Sequence, residues 1–143
     1  MKKVVSLLLV VMILVFSVPA FAADANALAP QDPVIEPNYV GLMSVTSGLS
    51  ITNGTATCKG SAKAKYTNYS LNLTMQLQKK NGSTWSPVSQ WTGTGTGVLG
   101  VSLNKTKSGL TSGSYRVKVT VKVYNGSGSL VESPTIYSAI RTI

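Results

Sequence analysis

Histidine is absent from this chain, and cysteine occurs once, at Cys58. Without histidine the commonest general base and metal ligand is missing. One thiol cannot complete a zinc site. A single cysteine also forbids an internal disulfide, a device that small exported domains often use. Cys58 is therefore expected as a small buried apolar residue, with a bridge between two chains as the lesser reading. Carboxylates are nearly as scarce: Asp24, Asp32, Glu36 and Glu132 are all there are. Glycoside hydrolysis usually needs a pair of them across the scissile bond, and calcium needs several oxygen ligands. Beyond residue 38 the chain offers Glu132 alone. The expectation is a protein that is not an enzyme, with no catalytic residue, cofactor or metal.

The N-terminus supplies the strongest positive signal. Lys2 and Lys3 precede an apolar run over residues 4–18, interrupted only by Ser6 and Ser17. Pro19, Ala20, Phe21 and Ala22 then form a small-x-small processing site, with cleavage expected between Ala22 and Ala23. A membrane span needs roughly 20 apolar residues, so a removed signal peptide over 1–22 is favoured over a retained anchor. No second apolar run follows, and Cys58 lies too far from the cleavage site to accept a lipid. The product is expected to be free and extracellular. Residues 23–38 hold Pro30, Pro33, Pro37 and three of the four acids, and read as a flexible leader. Residues 39–143 are long enough for one β-sandwich. They carry 11 lysine and arginine side chains against Glu132.

The domain reads as strands and turns, and no stretch shows a helical period. Residues 55–66 alternate, with Ala56, Cys58, Gly60, Ala62, Ala64 and Tyr66 on one face and Lys59, Lys63 and Lys65 on the other. Small residues facing inward imply close packing against something bulky. The next run provides it: Tyr69, Leu71, Leu73, Met75 and Leu77 share a face. Asn81-Gly82 predicts a tight turn, as do Asn53-Gly54 and Asn125-Gly126. A short strand is expected over 85–91, with Pro87 marking an edge or a bulge. Residues 92–97 read as a loop or a loosely specified strand, and 98–103 as another strand. Residues 115–124 alternate most clearly, with Tyr115, Val117, Val119, Val121 and Val123 inward. A last strand spans 130–137, and two short ones, 40–45 and 49–52, open the domain. The sum is an all-β, immunoglobulin-like antiparallel sandwich of about seven or eight strands. Tyr115, following Leu110-Thr-Ser-Gly113-Ser, fits the tyrosine corner of such folds, and Cys58 and Val117 occupy their two bridging positions.

Two apparent motifs fail on context. Gly95-Thr-Gly97-Val-Leu-Gly100 spells G-x-G-x-x-G without a βαβ unit around it. Ser102 with Lys105 and Lys107 mimics serine–lysine signatures but lacks the helix they need.

Candidate function therefore lies on the surface. Lys59, Lys63 and Lys65 line one strand; Arg116, Lys118 and Lys122 line another that belongs to the opposite sheet. Charge spread over both faces suits a diffuse anionic partner, such as a cell-wall polymer, a membrane surface or a polysaccharide. The plainer reading is a solvated basic face that maintains solubility. Nucleic acid is physically compatible, but an extracellular location argues against it. Trp85 and Trp91, with Tyr66, Tyr69 and Tyr124 near strand ends, are candidates for stacking on sugar rings. The alternative places one or both indoles in the core. A membrane-active or antagonistic role is a further alternative.

Several segments together resemble an uncharacterised family, a domain of unknown function, of small secreted β-domain proteins from Gram-positive spore-forming bacteria. They are Gly48-Leu-Ser-Ile51, Ala56-Thr-Cys58-Lys-Gly60, Leu77-Gln-Lys-Lys80 with Trp85, Trp91-Thr-Gly93-Thr-Gly95, and Ser114-Tyr-Arg-Val-Lys-Val-Thr120. The resemblance covers about residues 39–137. It implies export and a β domain, and it carries over no catalytic residue. The processing site yields a direct test: N-terminal sequencing of the exported product is expected to begin at Ala23, and a chain retaining Met1 would restore the anchor reading.

Overall fold

Strands that alternate small or apolar residues with polar ones can bury only one face, so they pair into sheets that cover each other. A computed structural model describes residues 37–143. The expected signal peptide, its expected processing site at Ala22 and Ala23, and nearly all of the expected leader lie outside the described residues. Nine strands follow in order: β1 Leu42–Thr52, β2 Thr55–Ala64, β3 Ser70–Asn81, β4 Thr84–Thr96, β5 Val101–Lys107, β6 Ser114–Tyr124, β7 Leu130–Glu132, β8 Thr135–Tyr137 and β9 Arg141–Thr142. One sheet has the order β1-β2-β5; the other runs β4-β3-β6, and β7, β8 and β9 share the far edge of β6. All pairings are antiparallel. The architecture is the expected immunoglobulin-like sandwich.

The core is built where the two clearest alternations meet. Ala56, Cys58, Ala62 and Ala64 of β2 are buried, as are Leu71, Leu73, Met75 and Leu77 of β3 and Tyr115, Val117, Val119, Val121 and Val123 of β6. The small side chains of β2 let the sheets approach closely. A Cβ added at Gly60 would lie 3.0 Å from Val119 Cγ2 and 3.2 Å from Met75 Sδ. Cys58 and Val117 both sit in this core, on opposite sheets. The tyrosine corner is present: the Tyr115 hydroxyl donates to the Thr111 carbonyl at 2.6 Å.

Several boundaries differ from the sequence reading, each for a physical reason. The two opening strands are one, β1, because its ladder to β2 is continuous from Ser44 to Thr52. Its hairpin closes at Asn53 (φ 48°) and Gly54 (φ 70°), the geometry that Asn-Gly favours. Residues 92–97 take the second of the two expected forms, a strand: through Thr96 they extend β4. Thr92, Thr94 and Thr96 point outward, while Gly93 and Gly95 face β5. A Cβ at Gly93 would meet Val101 and Leu103 side chains at 3.1 Å, and one at Gly95 would lie 2.0 Å from the Gly100 carbonyl oxygen. Glycine is thus required for β4 to cross over onto β5. Val98 and Leu99 form the exposed turn between these strands instead of starting β5. The last expected strand is divided into β7 and β8 at Ser133-Pro134. Proline cannot donate to a ladder. Tyr66, expected inward, lies past the end of β2 and is 51% exposed.

The crossing at β4 generates a stability test. Gly95→Ala places its methyl against backbone that cannot rotate away, so urea unfolding is expected to show a loss of at least about 2 kcal/mol. A variant as stable as wild type would contradict the close β4–β5 approach.

Candidate functional site

Glu132 is the sole carboxylate side chain between residues 37 and 143, and its two oxygens are already engaged. Oε1 accepts from the Gly41 and Leu42 amides at 2.8 and 2.7 Å, and Oε2 from the Val40 amide at 3.1 Å. The carboxylate thus fastens the chain entering β1 to β7. Charge-assisted bonds of this kind are the strong ones. Its charge, together with burial as the larger cause, raises the proton affinity of the Tyr39 hydroxyl.

The six predicted cations fall into four groups, of which Arg116 is one by itself. Lys59 and Lys63 project from the outer face of β2, among hydroxyls contributed by β1 (Ser44, Thr46, Ser50) and β5 (Ser102, Thr106) through the cross-strand register. Lys65 lies just past β2 and donates its Nζ to the Tyr39 carbonyl. Lys118 and Lys122 rise from the outer face of β6, on the opposite sheet, as the sequence indicated.

Arg116 behaves differently from the lysines. Its guanidinium carbon lies 4.3 Å from the centroid of the Trp85 ring and 4.1 Å from that of Tyr137. Its Nε donates to Gln78 Oε1 at 2.9 Å. Gln78 is only 6% exposed, and it donates in turn to Gln76 Oε1 at 3.2 Å. Gln76 donates to Gln90 Oε1 at 2.6 Å. Every donor in this row points the same way, from the cation on β6 through β3 to β4. Aligned hydrogen bonds polarise one another, and the row holds Arg116 in one orientation.

A β-bulge explains why Trp85 reaches this face. Trp85 and Trp91 are six residues apart, so an unbroken strand would point both the same way. The register shifts between Leu77 and Gln78: Ser89 pairs with Leu77, Pro87 pairs with Gln78, and Val88 is the extra residue. Trp91 then pairs with inward-facing Met75, and Trp85 with outward-facing Lys80. Trp91 packs against the core, as the alternative reading of the two indoles has it, so Trp85 and Trp91 do not share a face. Of the tyrosines, Tyr69 packs against the core and its ring lies 4.8 Å from that of Tyr66. Tyr124, half-buried at the end of β6, lies in the row of Ser70, several residues from Arg116. Sequence reasoning missed Tyr137 and Gln78 as the partners of Arg116. Pro87 marked a bulge as one option, but which residue flips the parity depends on pairing with β3.

Cys58 holds no surface chemistry. It is fully buried, out of reach of a second chain, and burial pushes its thiol up from about 9 to about 11. No protein-family model matches the chain, and no curated protein matches it.

The thiol gives a pH-dependent prediction. Above about pH 9 the unfolded thiol releases its proton while the native one keeps it up to about pH 11. The native state then binds more protons, so stability falls across that window. Cys58→Ala is expected to flatten this decline in denaturant titrations, and a thiol reagent at pH 8 is expected to label only unfolded protein. Labelling of the native chain at the unfolded rate would contradict the burial.

Proposed function

We propose that this protein is a secreted, non-catalytic β-sandwich that associates with the cell envelope or another anionic extracellular polymer. The observation carrying this reading is the charge arrangement. Lys59, Lys63, Lys118 and Lys122 stand on outer sheet faces, while the sole carboxylate side chain among the described residues is bonded to backbone amides. Each cation near an anionic surface contributes roughly 1 kcal/mol, and the attraction fades beyond a Debye length of about 8 Å at physiological salt. Lys65 and Arg116 add to the positive field, although both are tethered within the fold. The processing site and the family resemblance support an extracellular setting, which also argues against nucleic acid.

The second reading, a carbohydrate-binding module, is favoured by one observation: Trp85 stands on the outer face beside Arg116 and Tyr137. Trp91 takes no part in it.

Salt separates the two. Mature protein incubated with purified cell walls is expected to be retained at about 0.05 M salt and released at about 0.5 M. Charge reversal at Lys59 and Lys63 is expected to cut retention several-fold. Retention indifferent to both salt and charge reversal would rule out the first reading.

A further inference from the structure

The stack on the outer face of the six-stranded sheet contains a cation fixed on three sides. Trp85, paired with Lys80 on one side of the Gln78–Arg116 row, and Tyr137, paired with Lys118 on the other, bring their ring centroids to 4.3 and 4.1 Å from the Arg116 guanidinium carbon. Gln78 takes its Nε hydrogen. Among the described residues no protein acceptor meets its Nη nitrogens, and no buried side-chain nitrogen or oxygen lacks a partner. The Nη edge of Arg116 is therefore open to solvent.

Such an arrangement selects its ligand by shape. With a ring on either side and Gln78 at Nε, the guanidinium is left to a ligand at its Nη edge. A carboxylate is planar and presents two oxygens at the spacing of that fork, which gives a bidentate, charge-assisted pair. Because the stack and the amide row already hold the side chain, little rotamer freedom is lost when a ligand arrives. The surroundings suit a sugar. Tyr137 is 48% exposed. The Gln90, Gln76 and Lys118 row runs alongside, in register with Tyr137. Next to it, Thr92, Thr74, Thr120 and Thr135 align across four strands, with Thr120 and Thr135 hydroxyls 2.9 Å apart. Amides and hydroxyls in such rows match the vicinal hydroxyls of a pyranose. Lys80, paired with Trp85, and Lys118, paired with Tyr137, bracket the stack with further positive charge, and among the described residues no carboxylate side chain lies on this face.

We propose that Arg116 is the anchoring point for a carboxylate-bearing sugar unit of an extracellular polysaccharide, with Trp85 and Tyr137 flanking the ring and the Gln76–Gln90 and threonine rows taking its hydroxyls. The inference rests on the reading of an anionic polymer as partner, and it narrows that partner to a polyuronate.

The test uses mature protein with polygalacturonate, its fully methyl-esterified form and polyphosphate as probes. Wild type is expected to bind polygalacturonate and not the ester, which keeps the ring but loses the charge. Arg116→Lys retains the charge and loses the fork; binding is expected to fall at least about 10-fold. Lys105→Gln with Lys107→Gln, on β5 of the opposite sheet, is expected to change it less than about 3-fold. In wild type, the indole N–H resonance of Trp85 is expected to shift on binding while that of Trp91 stays in place, a readout independent of any variant's stability. Arg116→Lys binding within about 2-fold of wild type at unchanged thermal stability would overturn the proposal. So would an unmoved Trp85 resonance, or polyphosphate binding that shifts it equally. Salt-sensitive retention on cell walls without polyuronate binding would sink this inference alone; loss of both would sink the broader reading as well.

Discussion

The close approach of β2 to β3 and β6 governs this molecule. An inward row of alanine, cysteine and glycine on β2 meets leucine, methionine and valine from the other sheet. Small against large at close range lets a domain with no phenylalanine and no internal disulfide exclude water from its centre. It also fixes strand parity. Once Ala56, Cys58 and Ala62 face inward, Lys59 and Lys63 must face outward, since a one-residue slip would bury lysines and expose the core. The basic surface is a geometric consequence of the packing.

Two local departures from regular pairing shape the surface further. At Val88 an extra residue reverses the parity of β4. One tryptophan then closes the core, and the other joins Arg116 outside. At Gly93 and Gly95 the absence of side chains lets β4 lie against β5, where the chain passes from one sheet to the other. The first departure creates the aromatic stack. The second narrows the sandwich at that edge and leaves three threonines of β4 facing outward.

Contacts within the fold separate the tethered cations from the exposed ones. Glu132 neutralises no lysine; it gathers three amides at the start of β1. Arg116 and Lys65 are held by contacts within the fold, whereas Lys59, Lys63 and Lys122 project freely enough to be exposed. A diffuse anionic partner would meet the exposed lysines through screened attraction. A shaped one would engage the Arg116 fork, where orientation is already set.

By itself the sequence determined the fold class, the inward faces of β2, β3 and β6, the tyrosine corner and the placement of two lysine rows on opposite sheets. These follow from period-two alternation and from turn residues, both of which are local in the chain. Only the tertiary structure decided the extent of β4, the division of the final strand, and the parting of Trp85 from Trp91. Those depend on which residue pairs with which across strands. The Arg116 site is the clearest case. Trp85, Gln78, Arg116 and Tyr137 come from four different strands, and their meeting is set by register and one bulge, quantities that no single stretch of sequence contains.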